Sequence, residues 1–167
     1  MKLSSLLTAS TAAALAAGST PGHSATAIYV RSQAAETQRH FHSPVSNSSA
    51  RQAAREALLA LHELASLPDW DGHGASPVSL AAYRQAYRVL EGIPDSFPLP
   101  SFGAEPDGQI TFEWHHSVHR TLSVSVSPDG DLHYAALIGA SRAYGTEPFL
   151  GQLPEVLLPL IQRVVFG

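Results

Sequence analysis

Apolar and polar residues alternate most regularly between residues 101 and 146. There, runs of period two are separated by two copies of Pro-Asp-Gly, at 106–108 and 128–130. Period two marks a strand with one buried face. In each turn Pro presets φ, Asp suits the next position, and Gly takes the left-handed conformation that follows. The spacing therefore predicts three-residue hairpins with a glycine bulge. If Ser127 faces Asp131, then Val126 faces Leu132, Val124 faces Tyr134 and Leu122 faces Ala136. If Glu105 faces Gln109, then Ala104 faces Ile110 and Phe102 faces Phe112. A connecting loop at 115–119 sets Phe112 opposite Leu122 and Ile110 opposite Val124. All three hairpins then place their apolar residues on one face, and a one-residue slip would turn a strand over. The other face carries Thr111, Glu113, Thr121, Ser123, Ser125 and His133. A further junction at Gly139-Ala140-Ser141 predicts a short last strand over 142–146.

Helical spacing flanks this meander. Ala54, Ala57, Leu58, Leu61 and Leu64 predict a helix over about 50–66, capped by Ser48 or Ser49 and stopped by Pro68. Arg51, Arg55, Glu56 and Glu63 are expected to face away. A second helix is predicted from Ser76-Pro77, with Val78, Ala82, Ala86, Val89 and Leu90 inward and Gly92 and Pro94 at its end. A third is predicted from Leu153-Pro154-Glu155 to about 165. Its inward residues are Leu153, Val156, Leu157, Leu160, Ile161 and Val164, with a kink at Pro159. The expected fold is α+β: two helices, an antiparallel β-meander of four to five strands covered on one face, then a C-terminal helix. Residues 50–167 form its single domain, behind a linker at 28–49.

Residues 1–27 have the outline of a secretory signal: Lys2, an Ala/Leu-rich run from Leu3 to Ala17, and Ala25-Thr26-Ala27 as a small-residue cleavage site. Ser4, Ser5, Thr8, Ser10 and Thr11 dilute the apolar run, so a disordered leader competes with that reading. The balance favours the cytoplasm, with export if the leader is cleaved.

Composition narrows the function classes. The net charge is −4 and only 14% of residues are charged, which argues against the basic face of a nucleic-acid binder. The chain has no cysteine, which removes disulfides and thiolate chemistry. No apolar run is long enough to span a bilayer.

Two stretches carry a resemblance. Trp70-Asp71-Gly72-His73-Gly74-Ala75-Ser76-Pro77-Val78 is followed by Pro106-Asp107-Gly108-Gln109-Ile110-Thr111-Phe112-Glu113-Trp114. Together they resemble an uncharacterised bacterial protein family with a W-D-G-x-G-A-x-P-(I/V) loop, a D-G-x-(I/V)-x-L-E-W strand and a second D-G hairpin. The resemblance covers about residues 55–165. His73 stands where that family often has Tyr, and Phe112 where it often has Leu. The family's function is unknown, so no residue gains a role from it.

Three constellations invite chemistry. Asp69, Asp71, His73 and Gly74 begin like a calcium loop, but Leu80 occupies the position of the bidentate Glu. A tight turn built on two glycines, with Trp70 over the core edge and Asp71 accepting backbone N–H groups, is the stronger reading. Asp71 and His73 are also near enough in sequence for an acid/base pair. His115, His116 and His119, with Glu113, form the densest histidine cluster, and zinc takes such ligands. A polar loop tip explains the same residues, and stacking of Arg120 on Trp114 fits their shared parity. Ser123, Ser125 and His133 are neighbours on the open face, but a nucleophilic serine needs an orienting carboxylate and an oxyanion hole as well.

The expected function is a non-enzymatic protein-interaction module, of the inhibitor, immunity-type or adaptor kind, that binds a protein partner through its sheet face or edge. Its candidate contacts are Trp70, Asp71, His73, Thr111, Glu113, Ser123, Ser125 and His133. The alternative is a zinc-dependent hydrolase using His115, His116 and His119.

Overall fold

Both Pro-Asp-Gly copies fold as their composition dictates. Gly108 and Gly130 sit at φ 89° and 95°, a region that Gly enters without steric cost. The Glu105 and Ser127 N–H groups donate to the Gln109 and Asp131 carbonyls at 2.9 and 3.0 Å, closing the two hairpins. At Gly108 space is limiting too, since a Cβ would lie 2.9 Å from the Pro77 carbonyl oxygen.

The computed structural model describes residues 44–167, with side chains from residue 48. The leader at 1–27 and the linker up to residue 43 lie outside the described residues. The elements are α1 (Pro44–Ala65), α2 (Leu80–Glu91), β1 (Ser101–Ala104), β2 (Ile110–Ser117), β3 (Arg120–Val126), β4 (Asp131–Ile138), β5 (Ser141–Pro148) and α3 (Leu157–Val165). The strands form one antiparallel sheet in the order β1-β2-β3-β4-β5. The fold is α+β, as expected, with five strands and its helices packed on one face.

The β1–β2 and β3–β4 registers match the expectation at every pair named above. The β2–β3 register does not. Phe112 faces Val124, Ile110 faces Val126 and Trp114 faces Leu122. β2 runs on through the expected loop to Ser117, with a register shift between His115 and Ser117 and a tight turn at Val118-His119. The pairing is displaced by two residues, so every side chain keeps its face. Phe112 consequently lies between Phe102 and Val124 rather than Leu122. Arg120 does not stack on Trp114. Its Nη2 donates to the Arg163 carbonyl at 3.2 Å, while Trp114 Nε1 donates to Pro98 O at 2.8 Å.

The helix ends differ as well. α1 begins at Pro44, inside the expected linker, and Leu64 is exposed while Ala65 is buried. α2 begins at Leu80 with Ser79, not Ser76, as cap; the Ser79 hydroxyl accepts from Ala82 N–H at 3.1 Å. Residues 76–78 are claimed elsewhere: Ser76 N–H donates to Pro106 O and Val78 N–H to Ala65 O, both at 2.8 Å. α3 begins at Leu157, which leaves Val156 exposed. Pro159 therefore falls in the first turn, where a missing N–H breaks no helical bond and no kink is needed.

The core joins the inner sheet face to all three helices. Phe112, Ile110, Leu122, Leu132, Leu58, Leu61, Leu90, Leu157 and Ile161 are fully buried. The Phe102 and Phe112 rings meet edge to face at 5.0 Å. On β5 the inner face lacks a side chain at Gly145, and the Tyr134 ring lies over it. Arg51 and Arg55 do not simply face water. Arg51 Nη1 and Nη2 donate at 2.8 Å to Leu90 O and Ile93 O, and Nη2 also reaches Asp95 at 2.8 Å. Arg55 grips Glu91 through two bonds of 2.9 and 2.8 Å, and His62 stacks on Tyr83 at 4.9 Å. α1 is thus fastened to the C-terminal end of α2, where carbonyls lack helical partners.

Two substitution pairs test this picture by chemical denaturation. Phe112→Ala is expected to cost about 3–5 kcal/mol, as a ring is lost from a fully enclosed site. Thr111→Ala, one residue along the strand, should cost about 1 kcal/mol, the worth of a half-exposed hydrogen bond. Equal costs would mean that the polar face is buried too. Gly108→Ala and Gly139→Ala both place Ala at positive φ, at a cost of about 1–2 kcal/mol. Gly139 has open space for a Cβ and Gly108 does not, so Gly108→Ala should be the more damaging.

Candidate functional site

Among the described residues nothing covers the face of the sheet opposite the helices, and strand pairing sorts its side chains into rows. One row runs Gly103, Thr111, Ser125, His133, Thr146 across all five strands. The next runs Ser101, Glu113, Ser123, Ala135, Tyr144, and a third holds His115, Thr121, Leu137 and Arg142. Five of the residues expected from sequence, Thr111, Glu113, Ser123, Ser125 and His133, are therefore together on one surface. Three residues that the sequence reading did not assign join them. Tyr144 is 82% exposed, Ala135 is exposed and Leu137 is half-buried. Their signal was parity along β4 and β5, already available from Ala136 on the inner face and from the last strand expected over 142–146.

Glu105, placed by sequence only in a turn, lies at the end of this face. Its Oε1 accepts hydrogen bonds from both the Thr111 and Ser125 hydroxyls, which are 3.5 Å from each other. Ser125 faces His133 as expected, yet the order needed for a nucleophilic serine is not present. The Ser125 proton goes to Glu105, and His133 Nδ1 meets the Thr146 hydroxyl at 2.9 Å instead of a carboxylate. Glu105 thus ties the first turn to β2 and β3, and the His133–Thr146 contact ties β4 to β5, across a half-wet surface.

The histidines of the β2–β3 turn do not converge. His115 lies on the open face with Nδ1 3.0 Å from Thr121 Oγ1 and 3.7 Å from Glu113 Oε1. His116 lies in the register shift, and His119 is in the turn, with its carbonyl accepting from Gly139 N–H. Among the described residues no group of three or more His, Asp or Glu side chains is placed to hold a metal ion.

Trp70, Asp71 and His73 lie apart from the face, in the loop between α1 and α2. Trp70 Nε1 donates to Ser76 O at 3.0 Å and its ring packs on the core. Asp71 Oδ1 accepts from His73 N–H at 2.8 Å and Ala75 N–H at 3.1 Å, while Asp69 Oδ1 accepts from Gly74 N–H at 2.7 Å. Both carboxylates are occupied in shaping the loop. Asp71 meets the His73 backbone rather than forming an acid/base pair with its ring. The loop rests on the first Pro-Asp-Gly turn through the Ser76 bond to Pro106. On the helical side an open cleft of about 590 Å³ is bordered by Arg51, Asp95, Gln152, Leu153 and Leu158. Its cation is already engaged by helix-end carbonyls.

No protein-family model matches the chain, and neither does any curated protein or solved structure.

The Asp71 carboxyl is held below the usual carboxylate range, chiefly by the N–H of His73 and then by that of Ala75. A depressed folded value adds stability that is complete above the ordinary carboxylate pKa and disappears as pH falls through the folded value. The wild type should therefore lose melting temperature by this route as pH falls below the ordinary carboxylate range. Asp71→Ala should melt lower at neutral pH and show a shallower acid decline. Parallel acid declines in thermal melts would show that Asp71 does not contribute.

Proposed function

We propose that the protein is a non-enzymatic interaction module, of the inhibitor, immunity-type or adaptor kind, whose uncovered sheet face binds a protein partner. The observation that carries this reading is the asymmetry of the sheet. Three helices bury one face, while the other presents small polar side chains around exposed Tyr144 and Ala135 and half-buried Leu137. Aromatic side chains are enriched among the residues that anchor protein interfaces, and a flat surface of Ser and Thr excludes little. The hydroxyl and carboxylate groups of the face bond mainly to each other, as support for a surface requires and as a reaction centre does not.

A face variant tests the proposal. Ala135 is exposed in the middle of the face, so Ala135→Arg should leave the fold intact and obstruct docking. The wild-type protein, tagged in its native cell, is expected to retain a stoichiometric protein partner that Ala135→Arg loses, with equal melting temperatures for both. Partner retention by the folded variant would move binding away from this face. Stoichiometric zinc in the purified chain, lost on His115→Ala with His119→Ala, would favour the hydrolase instead.

A further inference from the structure

Among the described residues β5 ends the sheet, and its outer side has a defined pattern of backbone groups. Phe149 N–H donates to Gly130 O at 2.9 Å, which marks 130/149 as a hydrogen-bonded pair. Antiparallel pairs alternate between bonded and non-bonded. Stepping back along the register, Glu147, Gly145 and Ala143 bond to β4. Arg142, Tyr144 and Thr146 therefore direct their N–H and C=O groups away from the sheet, and their side chains share the uncovered face. Pro148 comes next in this series and has no N–H to offer, which limits the edge to those three residues.

We infer that a second copy of this chain pairs along this edge, β5 against β5, in an antiparallel register centred on Tyr144. A two-fold axis perpendicular to the sheet keeps the helices of both copies on one side, and it pairs only residues of like parity. Centred on Tyr144, it sets each Tyr144 opposite the other and Arg142 opposite Thr146 of the second copy. Every outward N–H then meets an outward C=O. Moving the centre to Gly145 would set Arg142 opposite Pro148 and leave the Arg142 carbonyl without a donor. Charge also favours a second copy. Arg142 and Asp131 are exposed on the uncovered face, and neither side chain has a hydrogen bond or ion pair within the described residues. Pairing brings Arg142 of one copy diagonally toward the Asp131 end of the other, while the two Arg142 side chains stay on opposite sides of the axis. The product is a continuous ten-stranded sheet with one uncovered face and two central tyrosines. Pairing of this kind also protects an eight-residue edge that would otherwise template aggregation.

The absence of cysteine allows a direct test on the full chain. Tyr144→Cys places two thiols across the two-fold axis, where opposed Cα atoms are about 5.5 Å apart, within disulfide reach. Mild oxidation is expected to give a covalent dimer from Tyr144→Cys and none from Tyr87→Cys, on α2. Sedimentation of the wild type should show a concentration-dependent dimer. Tyr144→Lys, which opposes two like charges, and Thr146→Pro, which removes an outward N–H, should each abolish it, with helix and strand content checked by circular dichroism. The Ala135→Arg variant should still dimerise, which separates this inference from the partner proposal. A wild type that stays monomeric at all concentrations, or a Tyr144→Cys chain that does not cross-link, overturns it.

Discussion

Burial of a single sheet face is the constraint on which the rest of the molecule depends. Along the strands from β1 to β4 the side chains that meet the helices are, apart from Arg120, apolar or aromatic, and their alternates are mostly small and polar. This parity decides what the helices must cover and what they leave open. It also explains why the two Pro-Asp-Gly turns matter more than their size suggests. Each fixes a register, and an error of one residue would exchange the two faces.

Arginines acting on helix ends fasten the helical layer, Arg51 from within it and Arg120 from the sheet. Arg51 reaches two carbonyls at the C-terminal end of α2, and Arg120 reaches one near the end of α3. Both place a cation where the helix dipole and the unpaired carbonyls are most negative. The Arg55–Glu91 pair adds to the α1–α2 junction. Glu91 is held below the usual carboxylate range chiefly by that guanidinium, though a pair this exposed contributes modestly. The packing between layers is mainly apolar, with the Arg120 contact at its edge, while polar contacts join α1 to one end of α2.

The sheet was legible in the sequence because its signals are local. Alternation and turn chemistry act over a few residues, so Val126 opposite Leu132 and Phe102 opposite Phe112 follow without tertiary information. The β2–β3 connection was misplaced because 115–119 lacks Gly and Pro, and nothing in its composition marks where the chain reverses. The start of α2 was misread for a different reason. Ser76-Pro77 is a good opening, but Ser76 N–H is bound to Pro106 and the following Val78 N–H to Ala65, partners outside the helix. Arg51 shows the same limit, since helical spacing places it on an outer face and only the end of α2 draws it inward. On the open face, Ser125 and His133 were paired correctly. Glu105 was missed because a residue beside a turn carries no parity of its own until the turn is built.

The order of the strands has a kinetic consequence. Each strand pairs only with its neighbours in sequence, so the sheet can assemble by successive closure of short loops, each with a small entropic cost. The contacts of long range are those between helices and sheet, α1 with β1 and α3 with β2 and β3 among them. Contacts between residues distant in sequence slow folding the most. Until α3 docks, part of the inner face on β2 and β3 lacks its cover. The last nine-residue helix of the chain therefore closes the core, and a chain cut short before Leu157 would keep its hairpins and lose its lid.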